Sequence, residues 1–180
     1  MSNNLLNLNY LSQGVGIFFG VLSGAAINLI VNKISEKNRE KETIKYFKFE
    51  IDLNISKIDT WLESLNDYRN AINSDTLDTY SGYFDLSRVA TSFYNNTFYS
   101  GLLYKYLNFE DVSHLQVIYT EFSLSWENLL NTQTANNIKS FKEKKDYRKT
   151  EITQQINFWT KKFKDHKKTL NEIKQRFNKR

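Results

Sequence analysis

Residues 152–177 read ITQQINFWTKKFKDHKKTLNEIKQRF. Ile152, Ile156, Trp159, Phe163, His166, Leu170, Ile173 and Phe177 recur there at alternating steps of four and three. Side chains at that spacing share one side of an α-helix, and sustained alternation of this kind marks a coiled-coil or bundle seam. The pattern predicts a long last helix from Ile138 to Phe177. His166 falls on the seam, where a lone histidine reads as a packing residue rather than a ligand or a pH switch.

The chain before it follows the same logic. Ile44, Phe47, Ile51, Ile55, Ile58, Leu62 and Leu65 predict an amphipathic helix running to about Ile72. The run Asn73–Thr76 reads as its stop. A second helix is expected from Asp85, as N-cap, to Tyr99, with Ser100-Gly101 as a bend and a short segment Leu102–Leu107 after it. Asn108 is expected to cap a third helix reaching Asn131, with Glu110 and Asp111 in its first turn. The polar run at 131–137 reads as a loop. With no Pro and only six Gly, four of them within residues 14–24, the chain has few breakers. The fold class is therefore all-α: an N-terminal transmembrane helix plus a cytoplasmic helical bundle with long first and last helices.

Residues 10–31, YLSQGVGIFFGVLSGAAINLIV, carry no charge, and Lys33 is the first charged residue. The segment has the length of a bilayer span. Lys33, Lys37, Arg39 and Lys41 follow it, which predicts an N-terminus outside and a domain in the cytoplasm, at the plasma (inner) membrane. The expected organisation is an extracytoplasmic stretch at 1–9, a transmembrane helix at 10–32, a charged juxtamembrane helix at 33–43 and a cytoplasmic bundle at 44–180. Ser12, Gln13, Gly16, Gly20, Ser23 and Gly24, with Asn28 at the edge, fall on one arc of the helix. Small and polar residues on one arc favour contact with another helix. They predict a homo-oligomer, a tetramer being one closed form, either as a dimerising anchor or as a ring lining an ion path.

Charge is uneven. Residues 1–138 hold 10 Lys/Arg against 15 Asp/Glu, and residues 139–180 hold 15 against 5. Lys161, Lys162, Lys164, Lys167, Lys168, Lys174 and Arg176 form a candidate basic surface for an oligonucleotide, a nucleotide, another polyanion or anionic lipid. Its structural counterpart is a solvated helical face. The absence of Cys excludes thiol chemistry and Cys-ligated metals. His114 and His166 lack metal-ligand spacing, and no catalytic constellation, metal site or cofactor motif is found, so no enzyme is expected.

Three stretches, FEIDLNISKIDTWLESLND at 49–67, LSRVATSFYNNTFYSGLLYKYL at 86–107 and EDVSHLQVIYTEFSLSWENLL at 110–130, resemble a set of small bacterial single-pass membrane proteins with a cytosolic helical domain. Among them are membrane effectors of anti-phage defence such as that of the Hailong system. The resemblance implies an oligomeric, ligand-controlled ion channel. The alternative from the residues is a non-conducting, membrane-anchored adaptor that docks a cytosolic protein.

Overall fold

The computed structural model describes residues 3–143 and 148–178, with side chains from Ser23 onward. It is all-α. Helix α1 spans Asn3–Asn73, α2 Ser92–Tyr99, α3 Leu103–Tyr106, α4 Phe109–Glu121, α5 Leu124–Lys142 and α6 Lys149–Asn178, with 3₁₀ turns at Leu77–Thr79 and Leu86–Arg88. The described residues contain no strand. The chain divides into two compact units, Met1–Thr43 and Ile44–Arg180.

In the first unit the expected membrane span is corrected. Among the described residues no helix is long and apolar enough to cross a membrane. Within the described part Ser23, Gly24 and Asn28 dilute the apolar residues, and from Lys33 onward charges recur every few positions. The placement in an inner membrane, with the N-terminus outside and the domain in the cytoplasm, loses its support with it. The side chains of Ser12, Gln13, Gly16 and Gly20 lie outside those described. Ser23, Gly24 and Asn28 are exposed, and a Cβ on Gly24 would meet nothing within 4 Å.

The second unit is built on two helices. Along α1, Ile44, Phe47, Ile51, Asn54, Ile58, Trp61, Leu65, Tyr68 and Ile72 are buried, at strict steps of three and four. Ile55 and Leu62, expected on this stripe, are only partly buried and pack against the core. On α6 every apolar residue of the expected seam is buried. The two helices run antiparallel, as their cross-contacts show. Lys174 reaches Asp52 at 2.5 Å, Lys167 reaches Asp59 at 2.5 Å, and Arg69 donates to Asn157 at 2.8 Å. Phe47 packs edge-on against Phe177, and Trp61 packs at a tilt against Phe163. Each large apolar side chain so buried contributes about 1.5–3 kcal/mol, while each surface pair contributes about 0–1 kcal/mol. Packing therefore holds α1 and α6 together, and the charges fix their register.

Three boundaries differ from expectation. The helix expected at 85–99 is a 3₁₀ turn followed by extended backbone, with α2 starting only at Ser92. Its cause lies in α1, where Glu50 and Asn54 accept the amide protons of this segment. The helix expected at 108–131 breaks at Phe122-Ser123, so that α4 packs on α6 while α5 packs on both 3₁₀ turns. The polar run 131–137 is helical, inside α5, and α6 begins at Lys149 rather than Ile138. Three of its polar residues find tertiary partners. Asn131 brackets Phe84, accepting from its amide and donating to its carbonyl. Gln133 accepts from the Trp159 indole, and Asn137 donates to Tyr68 and Gln155. The Ser100-Gly101 bend is as expected, with Gly101 at φ 74° in the left-handed region. So is the Asn108 cap, whose side chain accepts from the Asp111 amide at 2.8 Å.

Candidate functional site

Two adjacent helices, α5 and α6, leave an open groove between them. Trp126, Leu129 and Gln133 line it from α5, at helical steps of three and four. Glu151, Gln154, Gln155, Phe158 and Trp159 line it from α6, and its volume is about 580 Å³. The floor is aromatic. Trp126 meets Trp159 edge-on at 5.5 Å, and Phe158 meets Trp159 in the same manner at 5.5 Å. Trp159 is buried, whereas Leu129 is 45% and Phe158 54% exposed. Large apolar side chains left together in a concave wall are a recurring mark of interaction surfaces.

One end of the groove carries a charged cluster. The Lys162 ammonium lies 4.4 Å from the centre of the Trp126 ring and 5.5 Å from that of Phe158. A cation over an aromatic face is attracted by the ring quadrupole. The same ammonium donates to Glu121 Oε1 at 2.7 Å. The other oxygen of Glu121 lies 2.6 Å from His166 Nε2. A carboxylate only accepts, so neutral His166 places its proton on Nε2. The Phe122 ring stands edge-on to the imidazole at 5.6 Å. Burial lowers the His166 pKa below its usual value, and the Glu121 carboxylate opposes that shift without cancelling it.

The seven candidate basic residues of α6 fare differently. Lys162 is held by Glu121, Lys167 by Asp59, Lys174 by Asp52 and Arg176 by Asp111. Lys168 approaches Glu172 one turn on, at 3.9 Å. Lys161 and Lys164 are exposed. Four of the seven thus meet acidic residues of the preceding helices inside one molecule. His166 is a packing residue, as its place on the seam implies, but with a carboxylate partner.

A second polar constellation escaped sequence reading. Glu50, 3% exposed, accepts from the amides of Phe93 at 2.7 Å and Tyr94 at 2.9 Å, capping α2 from another helix. Asn54 pairs in both directions with the Ala90 backbone, at 2.8 and 2.9 Å. Glu127 accepts from Ser87 and Tyr83. These groups satisfy loop amides, and their geometry is that of structure rather than chemistry. Burial raises the Glu50 pKa against the lowering effect of the two amides, and burial pushes the Tyr94 hydroxyl up to about 12.

Phe158 was the available sequence signal for the groove. It is a large apolar residue one position off the 156–159–163 seam, where no bundle neighbour is expected. Trp126 and Leu129 read only as core. No family model, curated protein or solved structure matches the chain.

Proposed function

We propose that this chain is a helical docking module whose α5/α6 groove receives an amphipathic helix of a partner protein, acidic at one end. The exposed Leu129 and Phe158 over the Trp126–Trp159 floor carry this reading. Aromatic anchors in a concave patch are the residues on which protein interfaces concentrate their energy. The lining runs from 126 to 133 on α5 and from 151 to 159 on α6, about 10–12 Å at 1.5 Å per residue. That length suits two turns of helix presenting anchors at i, i+3 or i+4, and i+7. Lys161 and Lys162 stand at one end and Glu151 toward the other, so a helix acidic at the lysine end meets complementary charge. The ion-channel reading rests on residues 10–32, whose candidate interface side chains lie largely outside those described. The adaptor reading has a described surface to act through.

The test places a photo-crosslinking residue at Leu129 in the full chain, in its own host, with Lys168 as the control position. Adducts specific to Leu129 should map to one acidic-ended amphipathic segment. A synthetic peptide of that segment should shift the emission of Trp126 and Trp159, and Leu129→Glu should abolish the shift. Identical adducts from both positions, or a peptide without effect on emission, would defeat the reading.

A further inference from the structure

We infer that His166 sets the electrostatic state of the α5/α6 groove, by competing with Lys162 for the single carboxylate of Glu121. The inference concerns the same groove as the docking proposal but does not need a partner to be true. Its basis is that one carboxylate serves two donors, one on each oxygen. Lys162 takes Oε1 at 2.7 Å and His166 takes Oε2 at 2.6 Å. Lys162 is also the cation that touches the groove, over Trp126. The His166 side chain is 12% and that of Lys162 18% exposed, so water screens the cluster weakly.

While His166 is neutral, the charge of Glu121 balances that of Lys162, and the three-residue cluster is close to neutral. When His166 takes a proton, the carboxylate faces two cations and can neutralise one. The cluster then carries one net positive charge. The imidazolium is enclosed between Phe122 and the bundle. The ammonium stands on a flexible stem at the groove wall, and the unbalanced charge is expressed there, against Trp126. The other charged group acting on His166 is Asp165, from its own helix. On the α1 side Asp59 is engaged by Lys167, so it does not substitute for Glu121. A lower pH therefore makes the groove more attractive to anions.

The emission of Trp126 reads this charge directly. Trp61 and Trp159 are buried, which leaves Trp126 as the indole open to quenchers. Iodide, an anion, and acrylamide, which is neutral, are compared on the full chain between pH 8 and pH 5. The ratio of iodide to acrylamide quenching should rise about twofold as pH falls, the effect of one added charge at a few ångströms in a partly screened setting. His166→Gln should remove the step, Lys162→Met should lower iodide quenching at both ends of the range while keeping the step, and His114→Gln should leave it. A flat ratio in the unaltered chain, a step that survives His166→Gln, or iodide quenching unchanged by Lys162→Met overturns the inference. Should a variant fail to fold, the imidazole C2–H titration of His166 in the unaltered chain decides. Its midpoint must coincide with that of the quenching step, and a different midpoint overturns the inference equally.

Discussion

The indole N–H of Trp61 donates to Asp85 Oδ1 at 2.9 Å. Trp61 is 1% exposed in the middle of α1, and Asp85 sits in the connection that follows that helix. Lys57, one turn earlier, reaches the other oxygen at 3.0 Å. The pair pins residues 74–91 onto α1 where no regular secondary structure does so. Burial alone would raise the Asp85 pKa, but the bonds from Trp61 and Lys57 outweigh it and hold the carboxyl below its usual range. The stabilisation is thus present above the ordinary aspartate pKa and is lost as pH falls through the lowered one. Asp85→Ala should reduce stability by about 2 kcal/mol in urea unfolding at neutral pH. The deficit should shrink in acid, because the unaltered chain loses the same interaction there.

Glu50 behaves in the opposite sense. Its pKa is raised by burial, so the unfolded chain ionises first as pH rises from 4.5. Stability therefore declines across the interval up to the raised value. Glu50→Gln should flatten that slope. It should also expose one of the Phe93 and Tyr94 amides, because an amide side chain has one acceptor oxygen where the carboxylate has two. Hydrogen exchange at those two amides should speed up while exchange in the middle of α6 stays unchanged.

Arg176 and Lys168 are both basic residues of α6, and their truncation should differ sharply. Arg176 Nη1 lies 2.6 Å from Asp111 Oδ2, and the Asp111 side chain is 5% exposed. Arg176→Ala leaves a buried carboxylate without its cation and should cost about 3 kcal/mol. Lys168, with its side chain 77% exposed, should change stability by less than about 0.5 kcal/mol on truncation. Chemical unfolding of the two variants side by side gives the comparison.

The α1–α6 ladder should prove weak in energy. A double-mutant cycle on Asp59 and Lys167 should return less than about 1 kcal/mol of coupling, decreasing with added salt. Phe163→Ala, in the same interface, should cost about 3–5 kcal/mol, insensitive to salt. Equal effects of the two would mean that charge rather than packing holds the helices.

The groove should be dispensable for folding. Leu129 is 45% exposed, so Leu129→Glu should shift the unfolding midpoint by less than about 0.5 kcal/mol. Loss of a partner in that variant would then report docking and not instability.

Much of this architecture is legible in one dimension. The α6 seam, the register of α1 beyond Ile44, the Asn108 cap and the Gly101 bend follow from side-chain spacing and local backbone preference, which act between residues a few positions apart. The late start of α2 is not legible, since it is imposed from a distance. Glu50 captures amides 43 and 44 residues away. The run 131–137 reads as a loop because it is polar, yet it is helical because Asn131, Gln133 and Asn137 each meet a specific partner on another element.

The basic character of α6 shows the same division. Composition by itself determined that a negative part and a positive part occur in one chain, and periodicity determined that both are helical. Only the tertiary structure decided that Asp52, Asp59, Asp111 and Glu121 receive Lys174, Lys167, Arg176 and Lys162. It alone decided that Trp126 and Phe158 share a groove. The reason is physical. Helical periodicity states which side of an element is apolar, but not which element will face it. Charge pairing and concavity arise only when two such sides have met.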